Sequence, residues 1–103
     1  FLMPSRFEPC GLGQMIAMRY GTVPIARAVG GLKDTIENMR AGFLFEKYES
    51  REFLNAIEKA LDAFKDKTRW KQIQTNGMKK DFSWEASAKV YLCLYKKLIE
   101  ENF

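Results

Sequence analysis

The sequence predicts a small α/β domain built on a parallel sheet and closed by helices. Two observations point there. Over the first half, short apolar runs alternate with helical periodicity in the order strand, loop, helix, strand, loop, helix, strand, and strands joined through helices run parallel. From Ser50 onward strand signals vanish and helical stretches follow one another. A hydrophobic share of 47% beside 29% charged residues, in a chain of 103, fits one globular domain and excludes a disordered one.

The elements follow in order. The apolar start up to Pro4 reads as the end of a buried strand, and Arg6 to Gly11 as a turn-rich loop. Leu12, Met15, Ile16 and Met18 recur at helical spacing, and Gly21 stands where a C-cap glycine belongs. Thr22 to Ala26 is a second buried strand, with Pro24 tolerable at its start. The loop Ala28 to Gly31 leads into a short helix from Leu32 to about Asn38, and Gly42 to Phe45 reads as a third strand. Ser50 is expected to cap a helix whose face is Phe53, Leu54, Ile57, Leu61 and Phe64. Thr68 is the next cap candidate, ahead of Trp70, Ile73, Gly77 and Met78. Ser83 caps a last helix, along which Trp84, Ala88, Tyr91, Tyr95 and Leu98 form a stripe widened by Leu92, Leu94 and Ile99.

Several function classes fall away. No run reaches the ~18–20 apolar residues of a membrane span. There is no histidine, and Cys10 and Cys93 lie far apart without a CxxC, so no metal site is expected. Cys93 reads as a buried packing residue, and a reducing compartment suits two unpaired thiols. The net charge of +4 is spread along the chain without an RNA-binding aromatic pattern or a basic helix, which argues against nucleic acid. Lys79-Lys80 and Lys96-Lys97 read as solvated faces, and Trp70, Trp84, Tyr91 and Tyr95 as core or interdomain packing rather than a sugar platform. The opening Phe1-Leu2-Met3-Pro4 resembles neither a start nor a processed signal, so the chain reads as the tail of a longer protein.

The chemistry concentrates in Ser5-Arg6-Phe7-Glu8-Pro9-Cys10-Gly11-Leu12-Gly13-Gln14, which follows a strand and opens a helix. In open α/β sheets ligands bind outside the carboxyl ends of the strands. A Gly-rich turn into a helix start exposes free N–H groups that suit a phosphate. Glu8 would repel phosphate, but it can accept hydrogen bonds from sugar hydroxyls or balance positive charge on a sugar ring. Two readings stand at this point. One is a site for a nucleotide sugar or sugar phosphate; the other is an ordinary strand-to-helix turn with Glu8 in solvent.

Met3 to Leu12, Gln14, Ala17 to Pro24 and Gly30 to Thr35 closely resemble the bacterial glycogen synthases and plant starch synthases of glycosyltransferase family 5. Asp81 to Glu85, with Ser87, Ala88 and Tyr91, resembles the C-terminal helix signature of that family. The resemblance implies a GT-B architecture of two Rossmann-like domains. On that reading, residues 1–103 are the C-terminal part of the donor-binding domain, a partial Rossmann-like three-layer unit ending in helices. It implies transfer of glucose from ADP-glucose, or UDP-glucose in some members, to the non-reducing end of an α-1,4-glucan, with retention of configuration. No metal or cofactor is implied, and the missing N-terminal domain of the same protein becomes a partner. The compartment would be the cytoplasm in a bacterium, or the plastid in a plant.

Residue by residue, the resemblance places Glu8 at the donor glucose, and the backbone of Cys10, Gly11 and Leu12 at that sugar and the diphosphate. Gly13 stands where many members have Thr, so only its N–H can serve the phosphate. Position 16, a second Glu in related retaining transferases, is Ile16, as in family 5. The side chains that hold the phosphates lie outside this chain, and Arg6 and Arg19 are no substitutes. The alternative is a catalytically inactive scaffold that binds sugar phosphates only. The last helix carries a broader stripe than one small sheet needs. Its start, near Trp84, is expected to pack on this domain. Its end, Tyr95 to Ile99, would cover a surface of the missing one and make the isolated chain self-associate.

Overall fold

The computed structural model describes residues 1–102. It forms three strands and five helices: β1 (Leu2–Met3), α1 (Gly13–Arg19), β2 (Ile25–Arg27), α2 (Gly30–Thr35), β3 (Phe43–Phe45), α3 (Ser50–Lys65), α4 (Lys67–Lys79) and α5 (Trp84–Asn102). The strands lie in the order β1-β2-β3, all parallel, with Leu2 opposite Ile25 and Ile25 opposite Phe43. The predicted α/β alternation is therefore present.

Strand periodicity divides the core in two. On one face, Ile25, Phe43 and Phe45 pack with Val23, Ala56, Ala60, Ala63 and Ile73 from the α3–α4 layer. On the other, Ala26 packs with Met18, Leu32, Ile36 and Ala41, backed by Met3 and Leu44, in the α1–α2 layer. The two faces divide volume in opposite ways. Where the sheet presents large side chains, α3 answers with alanines at i, i+4 and i+7; where it presents Ala26, the helices supply Met18, Leu32 and Ile36. Near-constant packing density requires this exchange.

That exchange corrects the expected face of α3. Phe53 and Ile57 flank the core, but Leu54, Leu61 and Phe64 are exposed and the buried row is alanine. Helix α1 departs in the same way. Its buried residues are Gln14 and Met18, and Leu12 and Ile16 face outward. The end of α1 matches expectation: the N–H of Gly21 reaches the Met18 carbonyl at 3.0 Å and that of Thr22 the Ala17 carbonyl at 2.9 Å, with Gly21 at φ 79°. Strand β1 is less buried than expected, with Leu2 55% exposed, because it is an edge of the sheet. Helix α2 begins at Gly30, ahead of the expected Leu32.

Two caps move. Glu49 occupies the N-cap of α3, which makes Ser50 its first residue. Asp66 rather than Thr68 caps α4, accepting from the Arg69 N–H at 3.2 Å. Asp66→Ala is expected to lower stability by about 1 kcal/mol, read as a lower thermal midpoint, since it orphans a first-turn donor. Ser83 caps α5 as expected, its Oγ accepting from the Ala86 N–H at 3.2 Å. The Ser83 N–H in turn donates to Asp81 Oδ1 at 2.9 Å, and this hydrogen bonding holds the Asp81 carboxyl below its ordinary range.

Helix α5 overturns one expectation. None of its residues is buried and Trp84 is 87% exposed; Ala86 and Ser87 alone are half-buried, so its first half barely touches the domain and its apolar stripe does not pack there. Both faces of the sheet are already covered, by α1–α2 and by α3–α4, and no third face remains to receive it. At ~1.5 Å per residue α5 is roughly 28 Å long, in a molecule 54 Å along its longest axis. Tyr91, Tyr95 and Cys93 on it are exposed, against the expected burial of Cys93. Of the four aromatics read as packing residues, Trp70 alone joins this core, edge-on to Phe64 at 5.2 Å. Lys80 is no free solvated charge: its Nζ lies 2.7 Å from Glu37 Oε1 and keeps the Glu37 carboxyl below its usual value.

Candidate functional site

Parallel strands bring their carboxyl ends to one edge of the sheet. The segment from Pro4 to Leu12 leaves β1 there, and the turn into α2 leaves β2 beside it. The two segments are fastened by backbone. The Gly31 N–H donates to the Glu8 carbonyl at 3.0 Å. A methyl group added at Gly31 would run into the Cys10 carbonyl, and one at Gly30 into the Glu8 carbonyl. The Gly-Gly pair therefore lets α2 start directly under the Glu8–Cys10 backbone.

Gln14 holds the loop from inside. It is fully buried, and its Nε2 lies 3.1 Å from the Cys10 carbonyl, 2.8 Å from that of Gly11 and 3.1 Å from Thr35 Oγ1. Thr35 Oγ1 donates onward to the Gly31 carbonyl at 2.6 Å. With carbonyl acceptors facing one end of the amide, its orientation is determined, and Oε1 is left without a hydrogen-bond partner among the described residues. That oxygen, with Glu8 Cγ, crowds the space beside the Gly11 Cα, and Gly11 itself sits at φ 74°. Only glycine satisfies both conditions.

Arg27, at the end of β2, ties the loop to the third strand. Its Nη1 donates to the Arg6 carbonyl at 2.6 Å and its Nε to the Glu46 carbonyl at 3.0 Å, while the guanidinium lies 5.4 Å from the centre of the Tyr48 ring. All three strand ends are thus braced from beneath.

Glu8 is half-buried; its carbonyl serves the fold, and its carboxylate takes no hydrogen bond or ion pair among the described residues. Cys10 is exposed, with its carbonyl turned to Gln14. Gly13 opens α1, and a Cβ there would lie 3.2 Å from the Phe1 ring, so a larger residue would displace that ring. The Leu12 side chain points away, into a groove of about 840 Å³ shared with Ile16, Tyr20, Met78 and Phe82. The first turn of α1 leaves the N–H groups of Gly13, Gln14 and Met15 without a backbone acceptor among the described residues. The half-buried Glu8, its carboxylate unpartnered, therefore shares one braced segment with a row of free backbone donors that begins five residues later. That arrangement can hold an anion and a polyhydroxylated ring side by side.

The burial of Gln14 does not show in the apolar stripe of α1, because the residue is polar. Its signal was there: it stands four residues before the buried Met18. Arg27 carried no sequence signal, since its partners are carbonyls of distant loops.

The profile of the "Glycosyl transferases group 1" family matches residues 1–77. The chain is 53% identical to a glycogen synthase of Koribacter versatilis over 103 aligned residues, covering 94% of this chain and 21% of that protein. It is 51% identical to a glycogen synthase of Thermotoga maritima, covering 96% and 22%. The chain thus spans about a fifth of the length of the curated relatives it matches. The catalytic domain of Arabidopsis thaliana starch synthase IV, solved with ADP and acarbose, aligns with a TM-score of 0.83 at 42% identity over 94% of this chain and 22% of its own. A sucrose-phosphate synthase from Thermosynechococcus elongatus aligns at 0.72 and 34% identity, over 98% and 25%.

Proposed function

The chain belongs to the group 1 glycosyl transferases, and on that premise we propose that it is the C-terminal part of the donor-binding domain of an α-glucan synthase. In this reading the whole protein moves glucose from ADP-glucose, or UDP-glucose, to the non-reducing end of an α-1,4-glucan. The observation that carries it is the 42% identity and 0.83 TM-score to a starch synthase catalytic domain holding ADP and acarbose, over 94% of this chain. The braced turn supports it from the geometry, because it offers a carboxylate beside backbone donors.

The roles follow from charge. As the bond from glucose C1 to the diphosphate breaks, positive charge grows on the ring and negative charge on the leaving group, and the acceptor hydroxyl bonds to C1 on the same face while its proton passes to the departing diphosphate oxygen. Glu8 balances the ring. The backbone of Cys10, Gly11, Leu12 and Gly13 receives the sugar and the diphosphate. No residue here is assigned to a metal, and none to a cofactor. The remaining phosphate contacts lie outside this chain, and the glucan acceptor belongs to the N-terminal domain of the same protein. The compartment is the cytoplasm of a bacterium, or the plastid of a plant.

The test expresses the full reading frame that contains this chain and follows glucose incorporation into glycogen from ADP-glucose and, separately, UDP-glucose. Incorporation with either donor supports the reading; none with either overturns it. The second reading, a binding scaffold without turnover, is favoured for the isolated chain by its coverage of about a fifth of its relatives. The 103-residue chain alone is expected to release no ADP from ADP-glucose above a protein-free control. It is also expected to self-associate, since Tyr91, Leu92, Tyr95, Leu98 and Ile99 are all exposed on α5. Sedimentation as a monomer at high concentration would contradict the second expectation.

A further inference from the structure

Resting on the donor-site reading of this loop, we propose that Gln14 is a positioning residue that aims the Gly11 and Leu12 N–H groups at the donor. Gln14 is the buried polar residue of the core, and its amide is spent on the loop rather than on α1. Its Nε2 draws the carbonyls of Cys10 and Gly11 inward, at 3.1 and 2.8 Å. Both peptide bonds are trans, and in a planar trans peptide the C=O and N–H point in opposite directions. Turning the Cys10 carbonyl inward therefore turns the Gly11 N–H outward, and turning the Gly11 carbonyl inward does the same for the Leu12 N–H. Neither N–H has a backbone acceptor among the described residues.

The anchor behind the amide is rigid. Thr35 Oγ1 lies 3.1 Å from Nε2 and is itself held by the Gly31 carbonyl at 2.6 Å, and the Gly31 N–H holds the Glu8 carbonyl at 3.0 Å. Glu8 and the two outward N–H groups are therefore referenced to the same point of α2. Donors fixed before the substrate arrives need no reorganisation when charge develops on the leaving group. The carboxamide is suited to this because it supplies N–H groups without a charge, whereas a buried Lys or Arg would bring one into the core.

The test uses the full reading frame, with Gln14→Met, which keeps the length of the side chain and removes the donors, and Gln14→Glu, which replaces the amide nitrogen with an oxygen. Gln14→Met is expected to lower kcat by about 10²-fold, the loss seen when one aimed donor is removed, with the KM for glycogen unchanged and ADP binding weakened. Gln14→Glu adds a pH signature. Ionised, its carboxylate opposes the two carbonyls; protonated, its O–H can donate to one of them. Its activity relative to wild type is therefore expected to rise as the pH falls, while the Gln14→Met ratio stays flat. A residue that only fills space gives near-normal kcat with methionine, and with glutamate a thermal midpoint that falls on ionisation while the kcat of the folded protein stays flat relative to wild type, and that result overturns the proposal. Should Gln14→Met fail to fold, the glutamate pH series decides. An inactive wild type brings down the donor-site reading itself, whereas an active wild type with unaffected variants brings down only the role of Gln14.

Discussion

Glu8→Ala in the full reading frame is expected to lower kcat by about 10²–10³-fold while the protein remains folded, because it removes an electrostatic contact made mainly in the transition state. The structure separates the two halves of this residue. Its backbone carbonyl takes the Gly31 N–H at 3.0 Å and belongs to the fold; its carboxylate has no partner among the described residues and is left free for the proposed chemistry. Alanine keeps the first and deletes the second. Glu8→Gln is the sharper companion, since it preserves shape and loses only the charge that would face a ring gaining positive character. The measurement is steady-state glucose transfer beside a thermal unfolding curve. A variant with unchanged midpoint and near-normal turnover would remove Glu8 from the mechanism.

Gly31→Ala is expected to have a large effect on the fold. The new Cβ meets the Cys10 carbonyl and backbone, and neither can yield as the tip of a side chain can. Overpacking of this kind destabilises by ~1–3 kcal/mol or more. The forced shift also breaks the bond from the Gly31 N–H to Glu8, so transfer should fall together with the thermal midpoint. Gly13→Ala is the control. Its nearest neighbour is the Phe1 ring at 3.2 Å, a half-exposed side chain able to move, so its midpoint should change little. Equal midpoints for Gly31→Ala and wild type would show that α2 does not set the height of the Glu8–Cys10 turn.

Taken by itself, the sequence determined the order and type of the elements, the Gly21 stop and the Ser83 cap, because these depend on neighbours a few residues apart. It also determined where to look for chemistry, since Glu8, Cys10, Gly11, Leu12 and Gly13 are consecutive or nearly so and their resemblance to a known family is local. Only the tertiary structure decided which face of each helix is buried. Helix α3 offers a row of large apolar residues and a row of alanines, and the alanines go inside because Phe43, Phe45 and Ile25 already fill the space above the sheet. Only the tertiary structure decided that Trp84 and the rest of α5 stand off the domain, for both sheet faces are taken. It likewise decided that Gln14, a polar residue on a short helix, is buried, because the acceptors that make its burial affordable are the carbonyls of Cys10 and Gly11 and the hydroxyl of Thr35. Local patterns report what a residue prefers; which surface meets it, and whether that surface carries a hydrogen-bond partner, is set by packing across the sheet.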